Sequence, residues 1–328
     1  MKRIACIAAL ALAAQARPVA WADGAAPGRL VLGSWNLEWM MTPATFDALA
    51  ARCLGHGLRA GGSDRAIPCN IVPEARWSGQ DLARIRAFAA TLPVDVFALQ
   101  ETDGPAIAAQ IFPDHDFCFT KRKHVQNVGF AIRRGIPHRC NPDYRALRLA
   151  GNDVRWGADL TLFPGTKREM RLLAVHLKSA CNRDPLTDPR PDCRVLQEQV
   201  PVLEAWIDKR AREGSAFAVL GDFNRRFDRE RDAARDARNR VVALWPEIDD
   251  GEPAEADLLS AGADHGPVAC NTGHSARMPI DHIVLGRRLA RRLVAGSFRP
   301  WDYPGGAQRW PDHCVISAEL QLETGNGL

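Results

Sequence analysis

The sequence predicts a layered α/β domain with mixed β-sheets rather than one purely parallel sheet. Apolar strand-like runs alternate with amphipathic helical segments, while other runs follow one another irregularly, as the strands of a hairpin do. The 328 residues are 46% hydrophobic and 25% charged, which is the composition of an ordinary globular protein with a sizeable core. Since no low-complexity linker divides the chain, we expect one domain over residues 23–328.

The first 22 residues predict a secretory signal peptide that precedes this domain. Lys2 and Arg3 stand before an apolar run over residues 4–14, and Ala20-Trp21-Ala22 has the small-x-small pattern of a cleavage site. The run is too short to span a membrane, so we expect cleavage after Ala22 and a secreted or periplasmic protein. Cleavage removes three bases and no acid, which lowers the net charge from +4 to +1. Overall charge therefore does not indicate a nucleic-acid partner.

The cysteines predict disulfides. Eight of the nine remain after cleavage, because Cys6 lies in the signal, and an even number in an exported chain predicts up to four bonds. Cys53–Cys69 and Cys181–Cys193 would each close one local loop, which leaves Cys118–Cys140 and Cys270–Cys314 for the other two. No two cysteines form a C-x-x-C pair, which argues against zinc or redox chemistry.

The elements of the first part of the chain follow from apolar periodicity. Residues 29–39 predict a first strand, and the Gly-, Ala- and Arg-rich residues 42–77 predict a loop pinned by the first cysteine pair. Ser78 predicts the start of a helix with one apolar face, which Pro93 ends. A buried strand follows over residues 94–99.

The remaining elements are predicted in the same way. Residues 196–207 carry apolar side chains at spacings of four, three and four, which predicts an amphipathic helix with Pro201 as a point of kinking. Residues 225–240 alternate Arg with Asp and Glu, which is typical of a solvated helix face. Short apolar runs predict further strands over residues 127–133, 159–163, 171–177, 217–220, 279–285 and 314–320.

Polar residues lie at or beside the ends of these runs, where rigid scaffolds place their functional sites. In Gly221-Asp222-Phe223-Asn224 the two polar side chains are two residues apart and so point to the same side of an extended chain. A turn is the alternative use of these residue types, whereas carboxylate and amide oxygens suit Mg²⁺ or Ca²⁺. The other residues of this kind are Asn36, Glu101, His176, Asp281, Asp312 and His313.

These residue types supply what hydrolysis of a phosphodiester requires. The reaction needs a base for water, a cation for the phosphoryl charge and an acid for the leaving alkoxide. An Asp–His pair supplies the base, and Glu101 with Mg²⁺ supplies the cation. His176 or a metal-bound water supplies the acid.

Six motifs in one order resemble a known family. They are Trp35-Asn36, Leu99-Gln100-Glu101, Val175-His176-Leu177, Gly221-Asp222-Phe223-Asn224, Ile280-Asp281-His282-Ile283 and Pro311-Asp312-His313. The ordered set resembles the endonuclease/exonuclease/phosphatase superfamily, of the deoxyribonuclease I type. The resemblance implies a four-layered α/β sandwich, in which two mixed β-sheets pack face to face and are flanked by helices. It also implies a divalent-metal-dependent phosphoric ester hydrolase that uses Mg²⁺, with Mn²⁺ or Ca²⁺ as alternatives.

The resemblance also implies a metal site and a substrate site. Glu101 would be the main metal carboxylate with Asn36 close by, and Asp312 would complete the metal site or orient its neighbour. Arg155 would bind the substrate phosphate from just before a strand. Lys178 is a second cation beside that position.

Five residues would carry the catalytic steps by the same resemblance. His313, oriented by Asp281, would activate or position the attacking water. Asp222 and Asn224 would hold the nucleophile and a phosphate oxygen. His176 would bind the phosphate or protonate the leaving oxygen.

Two departures from the family pattern stand out. Residues 125–130 hold amides and no carboxylate, where related nucleases have a glutamate that supports the second histidine. The sequence therefore supports phosphate binding by His176 better than a role of His176 as general acid. Pro311 stands where serine is usual before the last Asp-His, which removes a side-chain hydrogen bond.

We first expect a secreted nuclease whose substrate is DNA or RNA. We also expect a monomer without a stable protein partner. The runs Lys121–His124 and Arg225-Arg226 add positive charge near the site in sequence, although such a run is more often a solvated turn. A sphingomyelinase is an alternative with the same chemistry, for which Trp301–Gly306 is the candidate for a membrane-contacting hairpin. A small-molecule phosphatase or phosphodiesterase is another, whereas a non-catalytic binding protein would require broken motifs.

Overall fold

Two six-stranded mixed β-sheets form the centre of the molecule in the computed structural model, which describes residues 28–56, 69, 76–149, 154–230, 233–270, 276–306 and 308–323. The predicted signal peptide lies outside the described residues. The strands are β1 (Arg29–Met40), β2 (Val96–Thr102), β3 (His115–Phe119), β4 (Asn127–Arg133), β5 (His138–Cys140), β6 (Ala158–Leu162), β7 (Met170–His176), β8 (Ala216–Asp222), β9 (Leu258–Ser260), β10 (Asp281–Gly286), β11 (Arg299–Trp301) and β12 (Val315–Gln321). The helices are α1 (Pro43–His56), α2 (Gly79–Ala89), α3 (Pro105–Ile111), α4 (Pro191–Arg212), α5 (Trp245–Ile248) and α6 (Arg287–Ala290).

Each sheet is mixed because it contains one parallel pair among antiparallel neighbours. The first sheet has the order β11-β12-β1-β2-β4-β3, in which β1 and β2 are parallel. The second has the order β5-β6-β7-β8-β10-β9, in which β7 and β8 are parallel. The inner faces meet in one apolar cluster that includes Leu32, Phe130 and Leu172.

Helices cover the outer faces, which completes the four-layered sandwich that the sequence resemblance implied. Alternation along β1 shows why both faces are apolar, since Leu32 enters the cluster between the sheets while Trp35 packs under the helices. Ile85 of α2 covers the first sheet, and Leu203 of α4 covers the second. The prediction of fold class is therefore confirmed.

The two parallel pairs determine where the polar residues meet. Parallel strands end at the same sheet edge, so β1 and β2 bring Asn36 beside the end of β2, where Gln100 is its register partner. In the same way, β7 and β8 pair His176 with Asp222. Strand β10 runs the other way and begins there, so that Asp281 pairs with Asp222. Strand ends from both sheets thus form one site.

Two predictions of secondary structure were wrong. Residues 42–77 were expected to be a loop, but Pro43–His56 is helical, with Phe46 and Leu49 buried beside Cys53. Residues 225–240 were expected to carry a solvated helix, but the described part holds only a short 3₁₀ turn at Phe227–Arg229. The charges there pair locally, as in Arg226 with Asp228, instead of lying along a helix face.

The four predicted disulfides are present: Cys53–Cys69, Cys118–Cys140, Cys181–Cys193 and Cys270–Cys314. Cys118 lies on β3 and Cys140 on β5, so their bond joins the edges of the two sheets. None of the helices within the described ranges combines the length and apolar character that a membrane crossing demands.

Candidate active site

Asn36 joins the two sheets at the centre of the site. Its Nδ2 atom donates to Glu101 Oε1 and to Asp222 Oδ2, at 3.2 Å in each case. Its Oδ1 atom accepts from the backbone of Glu38 at 3.0 Å. Asn36 was expected close to the metal, and in this arrangement its nitrogen faces the carboxylates while its oxygen accepts from the backbone. Asn36 therefore positions the two acids as a hydrogen-bond donor.

His176 lies at the end of β7 against the same two carboxylates. Its Nε2 atom is 3.7 Å from Glu101 Oε1 and 3.4 Å from Asp222 Oδ2. Burial lowers the pKa of His176 well below its usual value, and the positive charge of Arg155 lowers it further. The ring is therefore neutral at physiological pH, and its nearness to two acids indicates that Nε2 carries the proton.

The first departure from the family pattern, the missing carboxylate in residues 125–130, is matched by a ring nitrogen of His176 that is unpartnered among the described residues. Nδ1 is buried and makes no hydrogen bond within the described part of the chain. The amides of residues 125–130 do not replace the missing carboxylate, because Asn127 donates to His124 O and accepts from Thr120. His176 is thus held by packing and by its Nε2 contacts alone.

His313 and Asp281 form the closest charged pair of the site. Nδ1 of His313 and Oδ2 of Asp281 are 2.6 Å apart, and Nε2 of His313 faces Asp222 Oδ2 at 3.9 Å. Although burial acts to lower the pKa of His313, the charge and hydrogen bond of Asp281 raise it well above the usual value. Burial raises the pKa of Asp222 to about 7, an effect that His313 opposes and Asp281 reinforces. The raised pKa of His313 favours the protonated ring, which lies between the carboxylates of Asp281 and Asp222.

The backbone at the strand ends adopts conformations that non-glycine residues rarely take. Glu101 has φ of 57° and Asn224 has φ of 54°, which is the left-handed region. Gly221 has φ of 142°, and a Cβ atom there would lie 2.0 Å from the carbonyl oxygen of Val175. Only glycine allows β8 to pack this closely against β7 just before Asp222.

Asn224 and Arg155 organise the chain that follows His176. Asn224 Nδ2 donates to Leu177 O at 3.0 Å, and its backbone N–H donates to Asp222 Oδ1 at 2.7 Å. Arg155 Nε donates to His176 O at 3.2 Å, and its Nη2 donates to Leu177 O. Burial lowers the pKa of Arg155 to about 10, while Glu101 and Asp222 act to raise it, so Arg155 remains charged beside the acids.

The other predicted cations lie differently. Lys178 forms an ion pair with Asp192 at 2.5 Å, at the start of α4. Arg225 is buried in an ion pair with Glu230, so it offers no charge to a ligand. Arg122 lies in a run for which a solvated turn was expected, but it is buried and its Nη1 donates to Gln126 O at 3.0 Å. Its positive charge acts on both His176 and Arg155.

Glu38 supports the Asp312–His313 segment and was missed in the sequence. Asp312 is exposed, and its backbone N–H donates to Glu38 Oε2 at 3.1 Å. Arg309 Nη2 donates to Glu38 Oε1 at 3.2 Å. Alternation along the strand did not indicate this role, because Glu38 has φ of 49° and so departs from an extended strand.

Tyr303 supports the same segment from the other side. Trp35 Nε1 donates to the Tyr303 hydroxyl at 2.9 Å, and that hydroxyl donates to the His313 carbonyl oxygen. Tyr303 is buried and stacks on Trp310 at a centroid distance of 4.9 Å. No local pattern in the sequence indicates this role, since Tyr303 and Trp35 lie 268 residues apart.

Two groups of side chains could hold a metal ion. Asp222, Asp281 and His313 place ligand atoms within 4.8 Å of one another, but Asp281 and His313 already share a short hydrogen bond. That hydrogen bond also suits the group to proton transfer. Glu101 and Asp222 instead converge on two uncharged groups, Asn36 and neutral His176, while the charge of Arg155 acts on both acids from beside the site. These carboxylates fit a divalent cation that prefers oxygen ligands.

Comparison with known proteins gives a family match. The model of the family described as Endonuclease/Exonuclease/phosphatase family matches residues 33–311. A comparison with curated proteins finds no match.

Solved structures share the fold at low identity. A 3′ phosphatase from Neisseria, NExo, bound to product DNA hairpin, is 15% identical with a TM-score of 0.52, and the alignment covers 89% of this chain and 99% of that one. TDP2 from Caenorhabditis elegans is 15% identical with a TM-score of 0.51, covering 89% and 74%. The human Nocturnin catalytic domain with bound sulfate is 14% identical with a TM-score of 0.52, covering 89% and 93%.

Proposed function

The chain belongs to the endonuclease/exonuclease/phosphatase family, and we propose that it is a divalent-metal-dependent phosphodiesterase that cleaves nucleic acid. One observation carries this proposal. The paired His313 and Asp281 face Asp222 within a few ångströms of Glu101 and His176, at the joined edges of both sheets. This arrangement offers a base, a phosphate-binding donor and a metal carboxylate in one place.

His313 is the proposed acceptor of the proton from the attacking water and, because its pKa is raised, it acts in the form that has lost the proton from Nε2. Its Nδ1–H donates to Asp281, which fixes the ring orientation and leaves Nε2 directed at Asp222. A water held by Asp222 Oδ2 would be within reach of Nε2, and Asp281 would stabilise the imidazolium that forms. The backbone N–H of Asn224 fixes the other oxygen of Asp222, so that the carboxylate keeps its orientation.

His176 is the proposed donor to the phosphate. Its Nε2 atom faces the site, 3.4 Å from Asp222 Oδ2 and 3.7 Å from Glu101 Oε1. Because its ring is neutral and buried, it can donate a hydrogen bond to a phosphoryl or leaving oxygen without carrying charge of its own, and it keeps its proton. Arg155 lies beside the same strand end and supplies the fixed positive charge.

Glu101 would hold the divalent cation, with Asp222 on its other side. Its Oε2 atom accepts from the Trp39 backbone at 3.2 Å and its Oε1 from Asn36, which fixes the carboxylate in position. When bound, Mg²⁺ would neutralise charge on the phosphoryl oxygens. We keep Asp312 as the further metal carboxylate of this proposal, because Glu38 fixes its backbone beside His313.

Nucleic acid is preferred over a membrane lipid as the substrate for two reasons. The NExo structure that shares this fold holds a product DNA hairpin. In addition, the candidate membrane hairpin at residues 301–306 turns its aromatic side chains inward, since Trp301 donates to Ser317 Oγ and Tyr303 is buried. Leu259 is the only large hydrophobic residue exposed among the described residues. An apolar rim for lipid is therefore not seen there.

The four disulfides support the proposal that the protein works outside the cytosol, since such bonds persist in oxidising compartments. Residues 1–22 would then be removed as a signal peptide. The mature monomer would begin at Asp23.

A substrate panel tests the proposal. The mature protein with Mg²⁺ should cleave supercoiled plasmid or single-stranded RNA, and His313→Ala should not. The matched control is His265→Ala, because His265 contacts Gly266 and Phe298 away from the site. If both nucleic acids survive while sphingomyelin or a small phosphate ester is hydrolysed, the nuclease proposal is wrong and the alternatives within the family apply.

A further inference from the structure

A small pocket lies at the far end of the strands that carry His176 and Asp222. It has a volume of about 250 Å³ and lies at the beginnings of β7 and β8, where Met170 and Ala216 line it. Strand β7 has 7 residues, so its start is about 20 Å from His176 at roughly 3.3 Å per residue. The pocket is therefore separate from the proposed active site.

The charged lining of this pocket is mainly basic. Four cations and two carboxylates line it: Lys167, Arg171, Arg288, Arg292, Glu169 and Glu213. Both carboxylates are engaged, since Glu169 accepts from the Gly165 backbone and Glu213 pairs with Arg210, which does not line the pocket. Arg171 is neutralised by two hydrogen bonds from its Nη2 to the Asp159 carboxylate. Arg292 pairs with Glu323, which does not line the pocket, so the positive charge that no carboxylate of the described structure neutralises is that of Arg288.

Arg288 is available to a ligand. Across the described ranges it forms no hydrogen bond or ion pair, although its guanidinium reaches over the end of α4. Arg288 Nη2 would lie 3.3 Å from a Cβ atom on Gly214, so the bare glycine admits it. The backbone N–H groups of Gly214 and Ser215 already cap carbonyls of α4, at Ala211 and Arg210, which leaves the arginine donors unused.

Arg292, two residues after the end of α6, has a second guanidinium donor that could bind a ligand. Its Nη2 atom donates to Glu323 at 2.5 Å, whereas Nη1 is buried without a hydrogen-bond partner in the described structure. A buried guanidinium N–H left without a partner costs free energy unless an acceptor binds beside it. An oxyanion in the pocket would accept directly from the exposed guanidinium of Arg288, and a rotation of the Arg292 guanidinium would bring Nη1 to the same oxyanion.

We propose that this pocket is a binding site for a small phosphate-type oxyanion, held by Arg288 and Arg292 and distinct from the site of hydrolysis. Its volume lies below the roughly 300–1,000 Å³ of pockets that hold drug-sized ligands, so the ligand is one phosphate group rather than a nucleoside. The phosphate is either free or the terminal group of an ester. Arginine suits both, because its planar fork of donors matches phosphate oxygens.

Thermal unfolding with inorganic phosphate tests this proposal. The probe is added to the mature protein in EDTA, and Arg288→Gln/Arg292→Gln is compared with Arg287→Gln/Arg291→Gln. The second variant is a matched control, because it removes the same charge from exposed arginines outside the pocket. At ten times the dissociation constant, phosphate should raise the wild-type melting temperature by about 3 °C. The pocket variant should lose most of this rise and the control should keep it.

Two further arms make the result decisive. Arg288→Gln alone breaks no interaction of the described structure, so it tests the site even if the double variant is unstable. Phenyl phosphate in place of inorganic phosphate distinguishes an esterified phosphate from free phosphate as the ligand. An equal rise in melting temperature shows that an esterified phosphate enters the pocket. Equal phosphate-induced rises in wild-type protein, both double variants and Arg288→Gln would overturn the proposal. Phosphate binding at the catalytic site would be common to all of them and would cancel.

Discussion

Asp281 should matter to catalysis through His313, and Asp281→Asn tests this directly. The carboxylate accepts a 2.6 Å hydrogen bond from Nδ1 of a histidine that faces Asp222 through Nε2. Asparagine has nearly the same shape, but its amide can donate to Nδ1. That donation would place the ring proton on Nε2, where the attacking water needs an acceptor.

The magnitude follows from two effects of this change. Loss of a hydrogen bond to a charged group removes about 1.5–3 kcal/mol of stabilisation from the imidazolium that forms. The wrong tautomer adds the cost of turning or re-protonating the ring. A total of about 4 kcal/mol corresponds to a roughly 10³-fold fall in kcat. KM should change little, because Asp281 is not expected to bind the substrate.

A double-mutant cycle measures the coupling. Initial rates of phosphodiester hydrolysis are compared for Asp281→Asn, His313→Ala and the double variant, with Asp264→Asn as an exposed carboxylate control. If the two residues act as one unit, the double variant should be no slower than His313→Ala. Losses that multiply, or an Asp281→Asn enzyme within tenfold of wild type, would refute the reasoning. Circular dichroism of each variant verifies that the fold is retained.

Three further outcomes are expected. Glu38→Ala should lower kcat about tenfold, because the Asp312 backbone loses its acceptor, whereas Glu38→Gln should recover most of the rate by accepting through its amide oxygen. Replacing Cys270 and Cys314 by serine opens a loop of sequence separation 44 next to His313 and should cost about 4 kcal/mol in urea unfolding, with reduced activity. Burial, reinforced by Glu247, raises the pKa of Glu204 to about 7, so the folded protein binds this proton more tightly than the unfolded chain. The free energy of unfolding should therefore fall as the pH rises from about 4.5 to 7. Glu204→Gln should remove about 1 kcal/mol of that fall, because solvent screens this half-buried group. An unchanged pH dependence in the variant would contradict this assignment.

Residues on regular strands could be predicted from sequence because the rule for strand ends is local. Asn36, His176 and Asp222 each follow an apolar run, and the parallel pairing of β1 with β2 and of β7 with β8 places such residues at one edge. The β4 strand was predicted with its observed bounds, Asn127–Arg133, since its apolar run is continuous.

Features that depend on partners distant in sequence could not be predicted. Tyr303 reaches His313 only because Trp35, on the first strand, holds its hydroxyl. Arg225 looked like a surface cation, but Glu230 neutralises it inside the fold. The acids and bases of residues 225–240 have helical spacing, yet these local ion pairs hold the chain in turns. Charge patterns alone do not show which neighbour a side chain will meet.

Hydrolysis of bis(p-nitrophenyl) phosphate tests most directly the central claim, which is metal-dependent cleavage of a phosphodiester at this site. This diester requires the same reaction but no recognition of a particular natural substrate. The mature protein should hydrolyse it with Mg²⁺, stop in EDTA and recover when Mg²⁺ is returned in excess. His313→Ala should be slower by about 10³-fold or more under the same conditions. Hydrolysis that persists in EDTA, or that is equal in His313→Ala and wild-type protein, would contradict a metal-dependent reaction at this site.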